Sequence, residues 1–296
     1  MTNQIFAHGF RALPYWWEAY HPVAMDPVEV PARVRVAIVG AGYAGLSTAL
    51  ELARQGVDSV VLEAHEPGFG ASTRNGGAVS GGVNVGKGFG GRGITLDADR
   101  TAAVLADAAD GFSLIERLIV EENIACFWQK TGRFAGAWTP AHYAAQARRV
   151  AVLNSAAQSG AYMVPRAQQR EEIASDYYYG GMVIERSASL HPALYYKGLL
   201  DACVRRAVPV CALAPVSRIT PRDRGWSLQT GRGAVVADEV VIATNGYTGD
   251  VTPALKRRIV PIASHIIATE ELPPDLAASL IPRRRTLSDT RRVLCY

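Results

Sequence analysis

The segment Val36-Ala37-Ile38-Val39-Gly40-Ala41-Gly42-Tyr43-Ala44-Gly45, answered by Val60-Val61-Leu62-Glu63, constrains the fold of this chain most. It reads as a strand, a glycine turn, a helix and a second strand that ends in an acid. Gly40 lets the backbone turn sharply out of the strand. Gly42 leaves room for a pyrophosphate to approach the main chain, and Gly45 lets the helix lie close against the sheet. A helix that begins here offers free N–H groups and the positive end of its dipole to phosphates. Glu63 follows Gly45 by 18 residues, where a carboxylate can accept hydrogen bonds from a ribose 2′-OH and would repel a 2′-phosphate. The glycines alone would be weak evidence; strand, helix and acid together predict a dinucleotide site.

At 296 residues, with 49% hydrophobic and 20% charged residues, the chain has material for two domains or for one large α/β domain with an insertion. The net charge of +4 is spread along the sequence. The basic runs Lys256-Arg257-Arg258, Arg283-Arg284-Arg285 and Arg291-Arg292 read as solvated faces, without the aromatic or fold-level support that nucleic-acid binding would need. Cys126, Cys203, Cys211 and Cys295 have no metal-like spacing and suit reduced, buried thiols in a cytoplasmic protein. Met1 to Ala24 lacks a signal-peptide pattern, and no stretch approaches the roughly 18 apolar residues of a membrane span.

Residues 1–32 are an aromatic, proline-punctuated lead-in with Pro14-Tyr15-Trp16-Trp17 at its centre, expected to pack onto the domain surface, with a place at the active-site mouth as the second reading. After the first βαβ unit, Gly68 to Gly93 is too rich in glycine for a helix and reads as a long functional loop containing Ser72-Thr73-Arg74-Asn75-Gly76-Gly77. There Arg74, a guanidinium among glycines, suits an anion. Helices are expected over 97–122, 140–159 and 192–206, and strands near 127–137, 180–185, 210, 216–220, 226–230 and 237–242. Alternating patterns at 259–269 and 286–296 predict two long strands of a separate sheet.

These residues resemble the FAD-dependent oxidoreductases of the D-amino-acid oxidase and glycine oxidase type, and within them the bacterial amine-oxidising branch typified by gamma-glutamylputrescine oxidase. The resemblance rests on Pro14 to Trp17, the Gly40 to Gly45 fingerprint, Gly70-Ala71-Ser72-Thr73-Arg74-Asn75-Gly76-Gly77, His191-Pro192, Ala243-Thr244-Asn245-Gly246 and Leu287-Ser288-Asp289. It implies an α/β fold: a Rossmann-like FAD-binding domain with an interleaved α+β substrate domain built on an antiparallel sheet. The expected segments are 1–96 (lead-in, βαβ unit and flavin loop), 97–190 (α+β insertion), 191–256 (return to the FAD-binding domain) and 257–296 (start of the substrate sheet). Relatives of this type continue well past the point reached here, so the resemblance also implies a substrate domain cut short.

By the same resemblance, Gly40, Ala41, Gly42, Tyr43, Ala44, Gly45, Glu63, Ala64, Ser72, Arg74, Asn75, Gly76, Gly77, Val216 and Ala243 lie near FAD. The implied reaction oxidises the C–N bond of an amine or amino acid by hydride transfer to flavin N5, giving an imine that hydrolyses, with O2 or another acceptor taking the electrons. That chemistry needs no dominant acid–base dyad, and none is assigned; His191 reads as a helix-start residue and His265 as a strand residue of open orientation. No metal is expected. Two further readings remain at this stage: an NAD-dependent dehydrogenase, disfavoured by the Ser72 to Gly77 run, and a non-catalytic FAD-binding remnant.

Overall fold

The structure, a computed structural model, describes residues 8–81 and 97–291. In chain order the strands and helices are β1 (Arg33–Val39), α1 (Tyr43–Arg54), β2 (Ser59–Leu62), β3 (Ala78–Ser80), α2 (Ala98–Glu121), β4 (Arg133–Gly136), α3 (Pro140–Ala147), α4 (Val150–Ala157), β5 (Ala161–Val164), β6 (Gly181–Ile184) and β7 (Ser187–Ser189). They continue with α5 (Pro192–Arg205), β8 (Val210–Cys211), β9 (Val216–Pro221), β10 (Trp226–Thr230), β11 (Gly233–Ile242), α6 (Pro253–Lys256), α7 (Pro274–Leu280) and β12 (Thr286–Asp289). They form two compact units, one of residues 1–76 and 192–268, the other of 77–191 and 269–296.

The first unit is built on a six-stranded sheet in the order β8-β2-β1-β11-β10-β9. β1 pairs in parallel with β2 on one side and β11 on the other, while β10 runs antiparallel to both β11 and β9. A strand with parallel neighbours on both sides is covered on both faces, which explains the unbroken apolar run of β1; Val36 through Val39 are all buried. On α1 the residues Gly45, Leu46, Ala49 and Leu50 face inward at helical spacing, and α5 packs alongside it. Cys211 and Ala214 join the strand residues Val34, Val60, Leu62, Leu228 and Val235 in one core.

The second unit centres on a four-stranded sheet, β12-β4-β6-β5. α2 starts with Asp97 as N-cap, its side chain accepting the N–H of Arg100 at 2.7 Å. Leu105 and Ala109 of α2 pack with Leu153 and Ala157 of α4 and with Ala161, Met182 and Ile184 of the sheet. β12 is fastened to this unit by side chains: Arg133 donates to Ser288 Oγ at 2.9 Å through Nε, and Arg285 reaches Glu172 and Glu185 at 2.8 and 2.9 Å.

Four expectations need correction. The helix expected over 140–159 is two helices, broken at Arg148 and Arg149, where Arg149 N–H bonds to Gln146 O in a tighter turn. The strand expected over 259–269 is irregular and exposed, because its alternating apolar residues have no paired neighbour among the described residues. The strand expected over 286–296 spans only Thr286–Asp289, and residues 292–296 lie outside the described residues. The sheet of the second unit is mixed: β4, β5 and β6 are antiparallel, but β12 joins β4 in parallel. The glycine-rich loop is largely as expected from Gly68 to Gly81, apart from a 3-10 turn at Ala71–Thr73 and the short β3; its remainder lies outside the described residues. Among the described residues no helix is long and apolar enough to cross a membrane.

Candidate functional site

The turn between β1 and α1 is held by contacts that only glycine tolerates. Gly40 has φ +103°, and a Cβ there would lie 2.8 Å from Ala243 O. The residue after β11 therefore rests against the turn, with Ala243 N–H donating to Val39 O at 2.9 Å. A Cβ on Gly45 would stand 1.9 Å from Gly40 O, so α1 can approach the turn only with hydrogen at that position. Gly42, the N-cap of α1, has no side chain to satisfy the first helical amides. Ser72 Oγ takes the N–H of Tyr43 at 3.1 Å, and the amides of Gly42, Ala44 and Gly45 have no protein acceptor among the described residues. Such amides at a helix start, with the dipole behind them, form an anion site.

Glu63, just past β2, is half-buried. Its Oε2 accepts the N–H of Ala41 at 2.7 Å and its Oε1 that of His65 at 3.0 Å. A carboxylate has about four lone-pair sites, so two remain for a diol. Ala64 beside it is exposed.

The loop at Ser72 lies against this helix start. Asn75 Nδ2 donates to Ala71 O at 3.2 Å, to Ser72 O at 3.1 Å and to Tyr43 OH at 3.4 Å, while Tyr43 OH donates to Pro192 O at 3.0 Å. Arg74 bonds to Gly70 O and Tyr247 OH at 3.4 and 3.3 Å and sits over the rings of Phe69 and Trp17, facing aromatics instead of an acid. Gly76 is exposed; Gly77 belongs to the second unit, where its carbonyl accepts Leu190 N–H at 2.9 Å. Val216 opens the edge strand β9, packed against the first unit's core.

Gly40 to Gly45, Glu63, Ser72, Asn75 and Ala243 are thus brought together by direct bonds or contacts. What the motifs did not show is that Trp16 and Trp17 bond to the Ser72 loop, at Asn75 and Thr73, and that Tyr247 meets Arg74. The two tryptophans carried a signal, because a packed indole N–H needs an acceptor.

The candidate bases are not part of this cluster. His191 N–H donates to Cys126 O at 2.7 Å in the second unit, and burial lowers the pKa of its ring. His265 lies in the irregular exposed stretch, not on a strand. Of the late arginines, Arg285 is a buried structural cation, Arg291 pairs with buried Asp289 at 2.6 Å, and Arg283 is an exposed partner of Glu171. Arg292 lies outside the described residues.

The donor set suits a dinucleotide: unpartnered helix amides for a pyrophosphate, a fixed carboxylate for a ribose, and glycine surfaces that a Cβ would fill. The profile of the family described as FAD dependent oxidoreductase (DAO) matches residues 35–296. Gamma-glutamylputrescine oxidoreductase of Escherichia coli is 33% identical over 275 residues, which cover 88% of this chain and 61% of that protein. Probable oxidoreductase OrdL of Haemophilus influenzae is 30% identical over 305 residues, covering 98% of this chain and 68% of its own length. Among solved structures, glycine oxidase from Geobacillus kaustophilus superimposes with a TM-score of 0.62 at 20% identity, over 76% of this chain and 59% of that one. The chain thus spans about three fifths to two thirds of the lengths of these relatives.

Proposed function

The chain belongs to the FAD dependent oxidoreductase family, and from that premise we propose that it binds FAD in the first unit and oxidises the C–N bond of an amine or amino acid. The observation that carries this reading is the convergence of three groups on one turn: the open amides of α1, the Glu63 carboxylate tied to Ala41, and the Ser72 hydroxyl bonded to Tyr43. The substrate class is proposed on the support of a relative at 33% identity, a gamma-glutamylputrescine oxidoreductase.

In this reading Gly40 through Gly45 receive the pyrophosphate and Glu63, with Ala64 beside it, receives the adenosine ribose. Ser72, Arg74, Asn75, Gly76 and Gly77 extend along the cofactor toward the flavin, with Val216 toward adenine and Ala243 closing the turn. When bound, FAD supplies a two-electron acceptor for hydride from the carbon beside the amine nitrogen; the imine product then hydrolyses. The protein's part is to bind, orient and exclude water. An amine that arrives deprotonated needs no base. Oxygen or another small acceptor completes the cycle. The buried thiols Cys126, Cys203 and Cys211 suit a reducing, cytoplasmic setting.

The test is titration of the purified full chain with FAD and separately with NAD, followed by flavin absorbance and fluorescence. Turnover is then assayed on a panel of amines and amino acids with oxygen and with an artificial acceptor. FAD binding together with amine-dependent flavin reduction supports the proposal. NAD binding without FAD binding would replace it with the dehydrogenase reading. FAD binding without reduction by any amine would leave a binding protein.

A further inference from the structure

Two indoles from the lead-in close over the backbone of the loop that carries Ser72. Trp16 and Trp17 lie on a 3-10 turn, Tyr15–Glu18. Trp16 Nε1 donates to Asn75 O at 2.7 Å, and Trp17 Nε1 donates to Thr73 Oγ1 at 2.9 Å. Thr73 is fully buried and gives its own hydroxyl proton to Gly68 O at 2.6 Å, so its oxygen accepts the indole N–H and both sides of the hydroxyl are used. The Arg74 guanidinium carbon stands 5.6 Å from the centre of a Trp17 ring, continuing the contact across the loop.

Each indole has one donor and no acceptor, so each fixes one loop atom without competing for the loop's own donors. The pinned atoms belong to Thr73 and Asn75. Between and beside them, Ser72 Oγ serves the α1 amide of Tyr43, and the Asn75 side chain serves Ala71, Ser72 and Tyr43. A loop entered through Gly68 and Gly70 and left through Gly76 and Gly77 would otherwise lose much backbone freedom on taking a ligand. Ordering it beforehand removes that cost from binding.

We infer that Trp16 and Trp17 are positioning residues that hold the Ser72–Asn75 loop in the shape that receives FAD. This rests on the FAD reading above. They act through the loop, so the effect falls on the flavin half of the ligand, not on the AMP half served by Glu63. Simple surface packing of the two indoles would instead change stability and leave affinity alone.

The experiment uses the full chain. FAD dissociation constants are measured by flavin fluorescence, and AMP constants by displacement of FAD, for the parent, Trp16→Phe, Trp17→Phe, the double variant, Thr73→Ser and Thr73→Val. Thermal midpoints without FAD report folding. One lost hydrogen bond corresponds to about fivefold in affinity, and two to about 25-fold. We expect those losses for FAD, with AMP binding within about twofold of the parent. Thr73→Ser, which keeps the hydroxyl, should behave as the parent. Thr73→Val, which also loses the bond to Gly68 O, should lose at least as much FAD affinity as Trp17→Phe, and adding Trp17→Phe to it should cost little more. The inference is overturned if the folded Trp variants bind FAD within about twofold of the parent, or if FAD and AMP weaken together. Should the double variant not fold, the single Trp variants and the Thr73 pair decide by the same criteria. A parent protein that takes up no FAD would instead overturn the FAD reading, and this inference with it.

Discussion

Ala41 donates its N–H to Glu63 Oε2 at 2.7 Å, so the acid after β2 is tied to the glycine turn after β1 before any ligand arrives. The other oxygen is held by His65 N–H at 3.0 Å. Both bonds run from a backbone donor to a carboxylate, and bonds of that kind are worth more than neutral ones.

Glu63→Gln replaces one acceptor oxygen with an NH2 group that must face either Ala41 N–H or His65 N–H. FAD affinity is expected to fall by at least about tenfold, with AMP affinity falling in step because the contact lies on the adenosine side. Titration of both ligands checks this; a Gln variant that binds FAD as the parent does would remove Glu63 from the site.

Gly45→Ala forces a methyl group to within 1.9 Å of Gly40 O, and the backbone on both sides must move. The expected loss is about 3 kcal/mol, the upper end for overpacking, read by denaturant unfolding, together with weakened FAD binding. Gly246→Ala is the control, because its Cβ would meet nothing within 4 Å. Its stability should stay within about 0.5 kcal/mol of the parent.

Arg285→Ala removes the cation from buried Glu172, whose side chain is 5% exposed, and leaves that carboxylate without its partner. A loss of about 3–5 kcal/mol is expected in the unfolding free energy. Glu185 adds a pH signature: Arg285 holds its carboxyl below the usual range, chiefly by hydrogen bonding. A depressed folded-state pKa stabilises the protein above the unfolded value and ceases to do so as pH falls through the folded one. That part of the parent's advantage over the variant should therefore shrink on acidification below the ordinary carboxylate range. It should be small and sensitive to salt, because Glu185 is about half exposed.

Alkylation should spare Cys126, Cys203 and Cys211 in the native protein near neutral pH. All three are buried, and burial pushes the Cys126 thiol up to about 11. Mass mapping after brief iodoacetamide treatment, native against unfolded, checks this; rapid native labelling of Cys126 would show that its surroundings open readily.

The parts of the fold that were legible in the sequence are those whose cause is local. The β1–α1–β2 unit announces itself through an apolar run, close glycines and a terminal acid, and α2 through helical spacing behind Asp97. The break at Arg148–Arg149 has no glycine or proline to mark it, and both residues keep near-helical torsions, so only the change of hydrogen-bond pattern reveals it. The stretch 259–269 misleads for the opposite reason. Its alternation is that of a strand, but a strand exists only with a neighbour, and the pattern carries no information about one. The candidate site divides in the same way. Gly40, Gly45 and Glu63 could be assigned from spacing, whereas the partners Trp16 and Trp17 depend on long-range packing that brings residues 16 and 17 to residues 75 and 73.

The central strand β1 meets its two neighbours at very different moments in the life of the chain. Val36 pairs with Ser59, which follows it after the single helix α1, but also with Glu239, which comes later in the sequence than most of the second unit's residues. Until β11 has left the ribosome, β1 has an open hydrogen-bonding edge, and its most apolar stretch lacks one flank. The cofactor turn, which needs Ala243 against Gly40, therefore cannot be completed until more than two hundred residues after its first glycine. Long-range pairing of this kind slows folding in general, and an open apolar strand edge is the part of a nascent chain most exposed to mispairing.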